Sequence, residues 1–182
     1  MLAALAGIFA ATWFVSTAMA THLPRLLQAL GTDQADAIAA AALVGPAQVG
    51  ARLAEFGMLH RVSPLVSALV ASALHPLGAA CTSLLGAPAA GAFAVLHGAG
   101  NGLLTVAKGT LPLALLGADG YGLRTGLLSV PAWTTQATAP LLFGLLLDRA
   151  GPGAALLLSS GLSLAAFGAL ACLRSPREVA GA

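Results

Sequence analysis

Four polar residues, His97, Asn101, Thr105 and Lys108, follow one another at steps of four, four and three. That spacing stacks side chains on one face of a helix. An imidazole, a carboxamide, a hydroxyl and an ammonium in one row can bind or relay protons and line a hydrophilic solute path. Equally, His97 and Asn101 can tie neighbouring helices together while Lys108 stretches to a membrane surface. Beside them Gly98 and Gly102 form a pair of small residues four apart, which lets another helix approach closely. A second row holds Ser129, Trp133, Gln136 and Pro140 at steps of four, three and four. Trp133 and Gln136 together make an amphipathic wall for an organic ligand, although a tryptophan also suits an interfacial aromatic belt. Trp13 and Thr17, with Thr12 and Ser16, offer a further polar edge, and Gln48 stands between Gly45-Pro46 and Arg52. Short hydroxyls can instead bond back to their own helix.

The segments that must carry these residues are long and oily. No charged residue occurs from Val62 to Ala107, from Thr125 to Leu147, or from Ala150 to Leu173. A run of 18 or more apolar residues reaches across a hydrocarbon core about 30 Å thick. The 182 residues are 58% hydrophobic and 8% charged, with a mean hydropathy of +0.91. A soluble domain would carry about 25% charged residues. These patterns predict an all-α integral membrane protein, a single domain over 1–182 with six crossings at about 2–21, 35–56, 64–85, 89–108, 124–147 and 154–173. The first is predicted to end near His22-Leu23-Pro24, and the loop before the fifth to hold Pro112, Gly117, Asp119, Gly120 and Gly122. Asp148 to Gly153 reads as a tight turn. Pro131 and Pro140 should bend the fifth helix.

Positive charge near helix ends sets orientation. A cytoplasmic N-terminus puts Arg52, Arg61, Lys108, Arg124, Arg174 and Arg177 inside and leaves Arg25 and Arg149 outside, six against two. Both termini are therefore expected in the cytoplasm of a bacterial inner membrane. A net charge of +2 with no basic stripe gives nucleic acid nothing to bind. Cys81 and Cys172 lie singly inside apolar runs, so neither a metal nor any other cofactor is expected. The scattered Ser63, Ser67, Ser72 and His75 read as packing features of the third helix, with His75 bonding carbonyls freed by Pro76. Ser159, Ser160 and Ser163 do the same for the sixth.

After the second helix, Arg52-Leu53-Ala54-Glu55 resembles the Arg-Leu-Ala-Asp loop signature of the major facilitator superfamily, with His60-Arg61 at its basic pair. Ala51, Glu55 and Phe56 depart from that pattern, standing where glycine, aspartate and arginine are usual. In the fifth helix Ala139-Pro140-Leu141-Leu142-Phe143-Gly144 is similar to the family's Gly-Pro-x-x-Gly-Gly element, keeping Pro140 and Gly144. Gly100-Asn101-Gly102 through Pro112, then Gly120-Tyr121-Gly122, resembles bacterial efflux members. The layout resembles the C-terminal six-helix half of such a transporter. That resemblance implies two inverted three-helix repeats around a midplane site and alternating access for a small solute. It places the first, second, fourth and fifth helices on the path and the third and sixth at the periphery. An Arg52–Glu55 pair would latch the cytoplasmic gate.

A half-length chain implies an incomplete product, a mis-called start, or a bundle that pairs with a separate N-terminal half or a second copy of itself. Two other functions share parts of this pattern. One is a permease subunit driven by a separate ATPase, which would need a coupling helix that the Gly- and Pro-rich Gly109 to Leu123 does not suggest. His97 and Asn101 also resemble the oxyanion element of rhomboid proteases, but Leu158-Ser159-Ser160-Gly161 lacks the nucleophile glycine and no histidine follows His97. A serine nucleophile needs a base within hydrogen-bond reach, so no enzymatic activity is expected. Substrate, coupling ion and direction are not specified by these residues.

Overall fold

A computed structural model describes residues 1–57 and 62–173, and every regular element in them is helical. The order is α1 (Leu2–Ala29), α2 (Gln34–Ala42), α3 (Val44–Gly57), α4 (Pro64–Leu85), a 3-10 turn (Ala87–Ala89), α5 (Ala90–Leu116) and α6 (Tyr121–Ala171). Five helices, α2 and α3 counted as one span, are long and apolar enough to cross a membrane.

α1 does not stop at Pro24. A proline inside a helix loses one backbone bond and crowds the carbonyl four residues back. Here Leu23, Leu26 and Leu27 are fully buried in the core, and that packing holds the extra turns in place. The chain then turns at Gly31 (φ +93°), and the Asp33 carboxylate caps α2 by accepting from the Ala35 amide at 2.9 Å. The expected second helix is interrupted at Leu43, whose amide donates to the Ala40 carbonyl three residues back. Pro46 has no N–H for the Ala42 carbonyl, which explains a tightened turn there.

α4 has the predicted bounds. Ser63 caps it, accepting from the Val66 amide, Pro64 occupies its first turn, and Gly86 at φ +70° ends it. α5 runs two turns beyond Lys108 and contains Pro112, which the sequence had suggested lay in a loop. Burial again prevails over the proline, since Leu111 and Leu115 pack with Leu5, Ile8 and Leu128. At its end the Arg124 guanidinium donates to the Leu116 carbonyl.

α6 is continuous except at Gly151 (φ +80°, ψ 176°), so the expected turn of six residues contracts to one. A straight helix would hold Leu128 and Leu170 about 63 Å apart. Instead both belong to one apolar cluster with Leu5 and Ile8. Leu147 and Ala155, either side of Gly151, join Leu23 and Phe93 in another cluster. The limbs 121–150 and 152–171 therefore fold back on each other. Arg25 at the end of α1 pairs with Asp148 at this elbow.

Candidate functional site

α5 is the helix on which the candidate residues converge, because three of its glycines admit neighbours to its backbone. A Cβ on Gly98 would lie 2.7 Å from the Val44 carbonyl oxygen, and one on Gly102 would lie 2.5 Å from that of Gln48, so α3 rests directly on this face. A Cβ on Gly100 would lie 2.7 Å from the Ala71 carbonyl oxygen of α4. Such close approach presents the side chains adjoining these glycines to the neighbouring helices.

Asn101 and His97 are the two that result. Ser16 of α1 donates to Asn101 Oδ1 at 2.8 Å. His97 is 4% exposed, and its Nδ1 lies 3.0 Å from Nδ1 of His75 on α4. One of these nitrogens must donate and the other accept. His75 thus bonds His97 rather than carbonyls freed by Pro76, and its Nε2 is buried without a partner among the described residues. Ser16, His97 and Asn101 lie between two cavities. The larger, about 190 Å³, is drawn from α1, α2, α3 and α5 and includes Gln48. The smaller, about 20 Å³, adds Thr12, Ser72, His75 and Ser163. Ser16 stands at the middle of α1, and Asn101 close to the middle of α5.

The other candidates lie apart. The ring of Trp13 carries the Lys108 ammonium 4.1 Å from its centroid, so Lys108 packs on an aromatic face. Cation–π contacts of this type stabilise by about 0.5–2 kcal/mol. Thr17 is half-buried, and its backbone carbonyl accepts from Thr21. Trp133 is 61% exposed and Gln136 half-buried; neither lines these two cavities.

The Arg52–Glu55 latch is not formed. Arg52 reaches back to Gln48 Oε1 at 3.4 Å and across to Thr105 Oγ1 at 3.3 Å. Gln48 and Thr105 are the nearer acceptors because α3 is drawn against α5 at Gly102. Glu55 turns inward instead, 8% exposed, and its Oε2 has no partner among the described residues. Arg61, the third residue of that motif, lies outside the described residues, as do Arg174 and Arg177.

Pro140 and Gly144 do something their bending role did not suggest. His22 Nε2 donates to the Pro140 carbonyl at 2.8 Å, and its ring stacks on Phe143. A Cβ on Gly144 would come within 3.1 Å of that ring. Ser159, which precedes Ser160 at the nucleophile position of the rhomboid-like motif, donates to its own helix at the Leu156 carbonyl.

Sequence reasoning missed His75 and the Ser16–Asn101 bond. A signal for the first existed: His75 and His97 are equidistant from Gly86, the residue that ends α4 before the turn to α5. No family model matches the chain, and no match to it was found among curated proteins or solved structures.

Proposed function

We propose that the chain is one six-crossing bundle of a secondary transporter of the major facilitator type, moving a small solute by alternating access. The observation that carries this reading is the cavity of about 190 Å³ bordered by Ser16, Gln48, His97 and Asn101. Polar groups at mid-helix in otherwise apolar spans are costly in hydrocarbon unless they face protein or a wet cavity. Ser16 and Asn101 satisfy each other, and the lining draws on α1, α2, α3 and α5, corresponding to the first, second and fourth crossings of the expected plan. Gly151 supports the sixth crossing, since the limbs 121–150 and 152–171 fold back from it.

The cavity is smaller than the roughly 300–1,000 Å³ of typical ligand pockets. One bundle therefore supplies part of an enclosure, and a second bundle, either an N-terminal half or another copy, completes it around the solute. In this reading both termini face the cytoplasm of a bacterial inner membrane.

Single cysteines at Ser16, Gln48 and Asn101, with Cys81 and Cys172 replaced by serine, test the path in native membranes. A membrane-impermeant thiol reagent should label all three. Labelling no faster than at the buried Phe93→Cys would refute the conduit. Reporters fused to the two ends should localise to the same side; opposite sides would refute the six-crossing topology. Solute flux in reconstituted vesicles should fall in His97→Ala and Asn101→Ala, which border the cavity.

A further inference from the structure

The smaller cavity has an unusual donor balance. Its four hydroxyls all direct their hydrogens elsewhere: Thr12 to the Ile8 carbonyl, Ser16 to Asn101 Oδ1, Ser72 to the Ala68 carbonyl and Ser163 to the Ser159 carbonyl. What these hydroxyls can still offer the cavity is oxygen lone pairs, which accept. The volume of about 20 Å³ suits a single water, which needs roughly 10–15 Å³ and two to four polar partners.

The imidazole pair borders that acceptor-rich space. In the neutral pair one ring donates at Nδ1 and therefore has a bare Nε2. When His75 is that ring, the bare nitrogen is a buried atom that has no partner among the described residues. A proton added there makes His75 an imidazolium and leaves its Nδ1–H bond to His97 intact. A single water in that cavity would accept from the new N–H and donate onward to the hydroxyl oxygens. A second proton would need the His97 lone pair already engaged in the 3.0 Å bond, and would break it.

We infer that His75 and His97 form a proton-binding site that holds one proton between two imidazoles, delivered through a single water, and that this site couples the solute path to pH. The coupling part rests on the transport reading above; the proton site does not. His97 and Asn101 border both cavities, so the state of the pair reaches the wall of the larger one directly. With no third metal-ligating side chain grouped there among the described residues, the ligand chemistry is that of a proton.

Other ionisable groups on the packed elements stand apart from the small cavity. On α1 these are His22 and Arg25, on α2 Asp36, on α3 Arg52 and Glu55, and on α4 Cys81. Lys108 of α5 is eleven residues from His97, about 16 Å along the helix. Arg124, Asp148 and Arg149 lie towards the ends of the limb 121–150, and Cys172 follows the limb 152–171.

The test is NMR of the full chain in lipid nanodiscs with isotope-labelled histidine, titrated over about pH 8 to pH 5, where histidine charge changes occur. The expected result is scalar coupling across the Nδ1–Nδ1 hydrogen bond, persisting while one ring of the pair gains a proton. His97→Gln should abolish the coupling, with helical content by circular dichroism as the folding control. Two neutral rings throughout, or two rings titrating without coupling, overturns the site whatever that variant does. A second arm follows labelling of Gln48→Cys, normalised to a cysteine at Asp119, exposed in the turn between α5 and α6. The normalised rate should change several-fold with pH in the parent and stay flat in His97→Gln; identical profiles overturn the coupling. Solute flux that ignores pH while the NMR signature holds would leave the proton site and the transport reading standing and remove only their coupling.

Discussion

His75 and His97 lie eleven residues before and eleven residues after Gly86, and their Nδ1 atoms meet at 3.0 Å. The close contacts Gly78 with Phe93 and Gly100 with Ala71 keep nearly the same symmetry about that turn. The α4–α5 hairpin is thus an antiparallel register in which one buried polar pair sits among small residues. Both rings are 4% exposed, so each depends on the other for hydrogen bonding.

His97→Leu should destabilise the chain by about 1–3 kcal/mol, the cost of a buried polar group left without its partner. The double variant His75→Leu/His97→Leu should be no worse than the single one, since it removes both polar groups. Thermal unfolding in detergent measures the cycle; strictly additive losses would show that the two rings are not coupled.

Gly102→Ala should cost about 1–3 kcal/mol through overpacking, because the new Cβ would fall 2.5 Å from the Gln48 carbonyl oxygen. Gly109 has nothing within 4 Å of the same construction. There alanine should be neutral or gain about 0.5–1 kcal/mol from helix propensity. Comparing the two variants in one unfolding assay separates backbone contact from propensity.

Gly151→Ala tests the elbow of α6. Its φ of +80° and ψ of 176° belong to a region that only glycine populates freely, so alanine should cost about 1–3 kcal/mol. Gly153→Ala, with no neighbour within 4 Å, is the control and should leave the unfolding midpoint near the parent value.

Gly144→Ala should push the His22 ring off the Pro140 carbonyl, since the added carbon would stand 3.1 Å from the imidazole. The loss should be about 0.5–1.5 kcal/mol, the net worth of one hydrogen bond. His22→Ala should lose a similar amount, and the double variant little more. Full additivity in the same unfolding assay would mean that the glycine does not serve the histidine.

The amino-acid order by itself determined which segments are helical and apolar, because those properties depend on local runs. The bounds of α4 follow directly from Ser63-Pro64 at one end and Gly86 at the other. Gly98 and Gly102 were recognisable as a close-contact face from spacing alone. Helix ends at Pro24 and Pro112 were misjudged because a proline's local cost is outweighed by leucines buried against distant helices. Only the tertiary structure decided that His97 meets His75, that Ser16 meets Asn101, and that Arg52 turns to Gln48 and Thr105 rather than to Glu55. Side-chain partners across helices depend on the register and separation of whole helices. Here turn geometry and glycine contacts set both, and the periodicity of any one helix encodes neither.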